Sequence, residues 1–347
     1  MISPLDEAAA EAARAHQARL TKPTGALGRL ERLVAHLAGI QGVAMPSSRP
    51  AACLLFASDH PVTKHGVSAY PSEVTAAMVA NFVGTEGRPG GAAASVLCRT
   101  QNVALHVHDV GVLRATAGVP RARSAELPAG DLRVEDAMPP ETFEAAWEAG
   151  RDAVRALDPQ PRVLVLGEMG IGNTTPASVV SAALLGVSAE HVVGRGTGVD
   201  DEGRARKLAV VQEALARVAG DAPLEVLRRA GGRELVAIAG AAHEAASRRI
   251  AVLVDGFIVS AALLALARHE PTVTPYLVPA HRSREPGHRA VLEALFGVAG
   301  EPLLDLDLAL GEGSGALTAL PLVDLALATH AHMATFESAG VPDREGP

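Results

Sequence analysis

The chain has 347 residues, with 31 Lys+Arg against 39 Asp+Glu and a formal net charge of −8. That length suits one large domain or two modest ones and allows a sizeable core, which 48% hydrophobic residues supply. An acidic chain with only 3% aromatics lacks the basic, stacking-rich surface of a nucleic-acid binder, and a mean hydropathy of +0.19 excludes general disorder.

The opening MISPLDEAAAEAARAHQARL carries acidic residues and no apolar run, so it does not read as a signal peptide. It reads as a helix capped by Ser3, with Pro4 in the first turn. A Pro-Gly turn then leads into a second amphipathic helix within 22–42, with Leu27, Leu30, Leu33, Val34 and Leu37 on one face. After the Pro/Ser-rich residues 45–50 the pattern changes. Short apolar strands are predicted at 51–58, 103–111, 162–170 and 250–256, with two more at 274–281 and 303–313. Helical patterns stand between them, for example at 139–157 and 201–218. Such alternation indicates parallel βαβ units, hence an α/β fold with a doubly wound, mainly parallel sheet. The longest apolar run, 251–267, is broken by Asp255 and Gly256 and falls short of a membrane span of about 20 residues. A last helix over 315–336 is expected to pack back on the N-terminal pair. The expected organisation is a Rossmann-like α/β catalytic domain over 46–313 and a small helical domain built from 1–45 and 314–347. Cys53 and Cys98 lie in apolar segments and read as buried free thiols of a cytoplasmic protein.

In open α/β sheets, ligands bind beyond the carboxyl ends of the strands. Five loops in that position carry an acid: Asp59, Asp109, Glu168, Asp255 and Glu312. Any one of them could be an ordinary strand-end turn; five together suggest a polar pocket. Gly170-x-Gly172-Asn173-Thr174-Thr175-Pro176 offers backbone amides and hydroxyls at a helix start, which suits a phosphate. A second Gly-rich loop over 192–207 adds Arg195, Arg206 and Lys207 to balance an anion, or is a plain connector to a capped helix. Only Lys22, Lys64 and Lys207 are lysines among the basic residues, a bias that, with so much Ala and Gly, reads as a GC-rich coding preference rather than chemistry; a lysine retained against it is a weak hint that a compact ammonium is wanted there. No P-loop lysine follows a glycine, and Gly194-x-Gly196-x-Gly198 has the wrong spacing for a dinucleotide fingerprint. His243-Glu244 lacks the second histidine of a zinc protease, and His106 and His108 read as core or hydrogen-bonded rather than as ligands. No metal and no cofactor is expected.

Taken in order, KPTGALGRLE, DHPVTKHGVSAYPSEVT, LGEMGIGNTTPAS, VDGFIVSAALLA, AHRSREPG and LGEGSGAL resemble the nicotinate-nucleotide:dimethylbenzimidazole phosphoribosyltransferase family over nearly the whole chain. The resemblance implies transfer of a phosphoribosyl group from nicotinate mononucleotide to a benzimidazole nitrogen, without metal, in a homodimer that binds neither nucleic acid nor membrane. It implies Glu312 as general base, flanked by Gly311 and Gly313, and Glu168 as second carboxylate near the ribose or as a hydrogen-bonding partner of the substrate. Gly170, Asn173, Thr174 and Thr175 would hold the nucleotide, with Lys207 and Ser283 as phosphate or nicotinate contacts. Tyr70, Pro71, Met78 and Leu310 would line an apolar pocket for the base. Pro61 replaces the glycine usual in the family, and Met78 stands where some members carry Gln; both bear on which aromatic base is preferred. A catalytically idle nucleotide-binding protein and a dinucleotide oxidoreductase are the alternatives, opposed by the intact Glu312 and Glu168 and by the missing fingerprint.

Overall fold

Ala51–Ser58 (β1) has no polar side chain before Ser58 and is buried at all eight positions, as the inner strand of a parallel sheet requires. It pairs on one side with Ala104–Gly111 (β2) and on the other with Val163–Met169 (β3). Ala251–Val254 (β4) and Leu277–Pro279 (β5) extend the sheet beyond β3. The order is β2-β1-β3-β4-β5, with every pairing parallel and helices flanking the sheet. The chain therefore leaves β1 towards one edge and returns to β3 on the other side, making a topological switch point between β1 and β3, where loops diverge and a crevice opens. The register sets Phe56 opposite Glu168, which puts that carboxylate at the crevice. This computed structural model describes residues 2–196, 198–297 and 300–342.

With few aromatics available, the core is built from Ala, Val and Leu, and Tyr276, Phe56 and Lys207 are the largest side chains buried in it. Cys53 and Cys98 are buried free thiols, as expected. Both edges of the sequence meet. The Ser314–His332 helix holds His330 between the N-terminal helices and the following turn. Its Nδ1 meets Gln17 at 3.0 Å, its Nε2 meets the Ala44 carbonyl at 3.0 Å, and its carbonyl accepts from His16 at 2.9 Å. No helix of the described residues is long and apolar enough to cross a membrane.

Four expectations change. The first helix is Glu7–Arg19, capped by Asp6, whose Oδ1 accepts the Ala9 N–H at 2.9 Å; Ser3 instead lends its carbonyl to the Tyr276 hydroxyl. The second helix, Arg29–Gln41, starts after Leu27, so that residue is not on its buried face. The stretch 303–313 does not join the main sheet. Only Leu304–Asp305 is extended, paired with His281–Arg282 in a separate two-stranded ribbon, and Asp307 turns left-handed at φ 55° and ends it. Finally, β2 is an edge strand, so His106 is exposed and His108 half-buried against Phe56, ring centroids 5.5 Å apart.

Phe56 is fully buried where β1 meets both neighbours. Phe56→Ala is expected to cost about 3–5 kcal/mol in stability, read by denaturant unfolding, because the lost contacts leave a cavity that a close-packed sheet cannot collapse.

Candidate active site

The carboxyl ends of β3, β4 and β5, with Tyr70, Val74 and Met78 from the connection between β1 and β2, open on one cavity of about 560 Å³. Glu168 at the end of β3, Asp255 after β4 and Glu312 in the loop before the last long helix all line it. Each is at least nine-tenths buried.

Glu312 reaches its place by unusual backbone. Gly311, Glu312 and Gly313 have φ of 82°, 63° and 74°, three left-handed residues in a row. Glycine adopts that region freely, whereas Glu312 does so at a cost that surrounding structure must enforce. The loop also lies against β3, where a Cβ on Gly167 would come 2.8 Å from the Glu312 carbonyl group. The result presses Glu312 inward, with Oε2 accepting the Ala94 N–H at 3.2 Å in the first turn of the Ala93–Thr100 helix. Burial still raises its pKa above the usual carboxylate value.

Asp255 is anchored similarly. Its Oδ1 accepts the Ala316 N–H at 2.9 Å in the first turn of Ser314–His332 and lies 3.4 Å from His281 Nε2. Glu168 has a poorer set of partners. Among the described residues only the Asn173 amide donates to it, and burial, followed by the charges of Asp255 and Glu234, pushes its pKa up to about 8. At neutral pH Glu168 is therefore mostly protonated, unlike an ordinary catalytic carboxylate.

The sequence-predicted residues divide. Tyr70, Met78, Glu168, Gly170, Asn173, Thr174, Ser283, Leu310, Gly311 and Glu312 line the cavity. Lys207 lies behind its wall, fully buried, with Nζ donating to Thr174 Oγ1 at 2.8 Å and to the Gly194 carbonyl at 3.4 Å. Burial lowers its pKa to about 8. Thr175 is buried in the helix start, its N–H on the Gly172 carbonyl; Gly313 caps the following helix; and Pro71 is exposed, its carbonyl accepting from Val74. Arg195 and Arg206 turn away, to Asp201 and to the Gly66 carbonyl. Thr197 of that loop lies outside the described residues.

Sequence reasoning did not select Asp255, His281, Arg284, Glu285 or Phe257 as site residues, although all line the cavity. Asp255 was visible as one of the five strand-end acids. Phe257 had no signal, being indistinguishable from the apolar helix it begins. With Tyr70, Val74, Met78, Ile258 and Leu310 it makes much of the wall apolar, which suits a flat hydrophobic ring. Among the described residues, no three His, Cys, Asp or Glu side chains are grouped to hold a metal ion.

The raised Glu168 has a consequence for stability. The folded chain keeps a proton that the unfolded chain releases near 4.5, so this contribution is complete below about 4.5 and is lost as pH rises through about 8. Glu168→Gln cannot ionise. Its melting temperature should match the parent at pH 4.5 and exceed it by several degrees at pH 8.5, measured by calorimetry.

A family model described as "Phosphoribosyltransferase" matches residues 2–341. The chain is 50% identical over 339 residues to the nicotinate-nucleotide–dimethylbenzimidazole phosphoribosyltransferase of Bradyrhizobium diazoefficiens, covering 96% of this chain and 94% of that one. It is 48% identical over 345 residues to the protein of the same name from Deinococcus radiodurans, covering 98% and 94%. A crystal structure of a phosphoribosyltransferase of that name from Thermus thermophilus superposes with a TM-score of 0.88 at 43% identity, covering 98% of this chain and all of the other. With fold, motifs and near-complete coverage in agreement, the chain belongs to the nicotinate-nucleotide:dimethylbenzimidazole phosphoribosyltransferase family.

Proposed function

We propose that the chain transfers the 5-phosphoribosyl group of nicotinate mononucleotide to 5,6-dimethylbenzimidazole or a related base. The products are nicotinate and α-ribazole 5′-phosphate, used in assembling the nucleotide loop of cobalamin. The observation that carries this reading is the ring of three buried carboxylates, differently partnered, around one largely apolar cavity at the strand ends.

In this reading the lone pair of one base nitrogen attacks C1′ of the ribose as the bond from C1′ to the pyridinium nitrogen breaks. The bonding electrons return to the pyridine ring, so the leaving nicotinate needs no acid. Glu312 takes the proton from the other nitrogen of the benzimidazole; its raised pKa makes it a stronger acceptor than an ordinary carboxylate. Positive charge that builds on the ribose needs a fixed negative group nearby. Asp255, held by the Ala316 N–H, suits that task better than a mostly protonated Glu168. Glu168 and Asn173 then act as hydrogen-bonding partners of the nucleotide. Gly170, Thr174 and Ser283, with Lys207 behind Thr174, provide the phosphate end. The apolar wall of Tyr70, Met78, Phe257 and Leu310 receives the base. The same reading makes 46–313 the catalytic domain, 1–45 with 314–347 a small helical one, the assembly a homodimer and the compartment the cytoplasm.

Nicotinate release from nicotinate mononucleotide, dependent on added dimethylbenzimidazole, is the direct test. Glu312→Gln should lower kcat by about 10²–10⁴-fold while nucleotide binding by calorimetry persists; wild-type turnover would remove the base assignment. The wild-type kcat profile should rise through a pKa above the ordinary carboxylate range, from Glu312, and fall through about 8, from Glu168. Glu168→Gln should abolish the falling limb. Light scattering should give about twice the 35.6 kDa chain mass; the monomer mass would overturn the dimer.

A further inference from the structure

The strand-end acids leave one cluster that the transfer reading does not use. His60, just after β1, and Glu234, in the first turn of the Arg233–Ser247 helix, are both buried, with His60 Nε2 2.9 Å from Glu234 Oε1. Among the described residues no hydrogen bond reaches His60 Nε2 or either Glu234 oxygen, so the pair meets as a close, buried contact, with the Arg233 guanidinium as the other charge coupled to Glu234. The pair is wedged between two backbones. A Cβ on Gly170 would lie 2.8 Å from His60 Nε2, and one on Gly232 would lie 2.5 Å from His60 Cε1 and from a Glu234 oxygen. Gly170 belongs to the turn that joins Glu168 to Asn173 and lines the cavity. His60 therefore touches the outer side of the turn whose inner side faces the substrate cavity.

We propose that His60 and Glu234 are a positioning pair for the transfer reaction: the imidazole braces the Gly170 turn, and its contact with Glu234 holds that carboxylate in place behind Glu168. The pair acts through Glu168 and Asn173 and does not itself reach the substrate. The inference rests on the proposed transfer reaction and adds to it a determinant of the protonation of Glu168, whose elevation Glu234 helps to cause. The other charged groups facing the pair have partners of their own, although Asp59 also couples to His60 and Arg233 to Glu234. Asp59 accepts the Leu113 N–H at 2.8 Å, Asp109 is paired with Arg121, and Arg233 donates to the carbonyls of Gly111 and Leu127. Asp131, on the adjoining loop, is taken by Lys64 and His65. Changing Glu234 to Gln removes one charge while Asp59 and Arg233 keep the hydrogen bonds named above.

The experiment compares wild type, Glu234→Gln, His60→Ala and His60→Gln, each first checked for a cooperative thermal melt. Glu234→Gln keeps an acceptor for the imidazole and removes the charge. Its falling kcat limb should move to lower pH by about one unit, with KM for nicotinate mononucleotide unchanged. His60→Ala frees the turn and should lower kcat/KM by about 10²-fold, the scale on which a misplaced group loses its effect. His60→Gln restores a donor to Glu234 and should recover most of that loss. Folded Glu234→Gln and His60→Ala with wild-type profiles would overturn the proposal, as would a lowered melting temperature with unchanged kinetics. The titration of Glu168, followed by NMR with 13C-carboxyl glutamate and identified by its loss in Glu168→Gln, provides an arm independent of turnover. If the wild type releases no nicotinate, the transfer reading fails, while the Glu168 titration in Glu234→Gln still decides the pair: a downward shift supports it and an unmoved curve overturns it.

Discussion

Three carboxylates forced into one buried wall repel one another and lose the water that would stabilise their charge, and the rest of the site follows from how the fold answers that demand. The parallel sheet creates the problem, because its strands end on the same side: the loops after β3 and β4 bring Glu168 and Asp255 there and the loop before the last long helix adds Glu312, while Asp59 and Asp109 lie outside the cavity. The answer is not a set of counter-ions. Asp255 and Glu312 each take a backbone N–H from the first turn of a helix, Ser314–His332 and Ala93–Thr100. There the helix dipole favours negative charge and the donor is otherwise unpaired. Glu168 is left with one side-chain amide and carries the greater part of the repulsion as a bound proton. Three residues of one chemical type thus acquire different states from their partners alone.

That asymmetry depends on backbone placement at a scale below a side chain. Glu312 approaches the cavity because its own φ is left-handed between two left-handed glycines, and because Gly167 leaves β3 bare beneath it. A shift of this loop outward would free Glu312 from Ala94 and expose it to solvent, removing both the burial and the donor that define it. The loop is also where the apolar wall and the charged wall meet, since Leu310 and Glu312 are two residues apart and both line the cavity. A base held by the first is delivered to the second.

The layers were legible because they rest on local pattern. The strands β1 and β3 open as apolar runs, 51–57 and 163–166, and the parallel class follows from their alternation with helices. The strand-end acids were legible too, since the switch-point rule places function where strands end. What escaped depends on distant pairing. Nothing near Glu168 in sequence announces Asp255 or Glu234, 87 and 66 positions away by their numbers, yet after burial itself those charges do most to raise the pKa of Glu168. The 303–313 segment misled for the same reason: its apolar alternation resembles a strand, while its partner, His281–Arg282, lies outside the main sheet. Ser3 was a reasonable cap by type, but Asp6 stands where an oxygen can reach the Ala9 N–H.

Of the three lysines in this chain, one stands at the site. Lys22 is buried against Glu31 at 2.8 Å, and Lys64 reaches Asp131 at 3.0 Å. Lys207 differs: among the described residues no carboxylate stands within ion-pair distance of its Nζ, which instead meets a hydroxyl and a carbonyl. A guanidinium, planar and wider, would not fit where a Cβ on Gly196 would already lie 3.3 Å from the ammonium. Desolvation holds the buried ammonium below its ordinary pKa, and the charge of Glu285, which lines the same cavity, offsets that only in part. The same cavity thus sets a cluster of acids at the strand ends against a buried ammonium behind Thr174, and the burial that shapes the wall strips water from both kinds of charge.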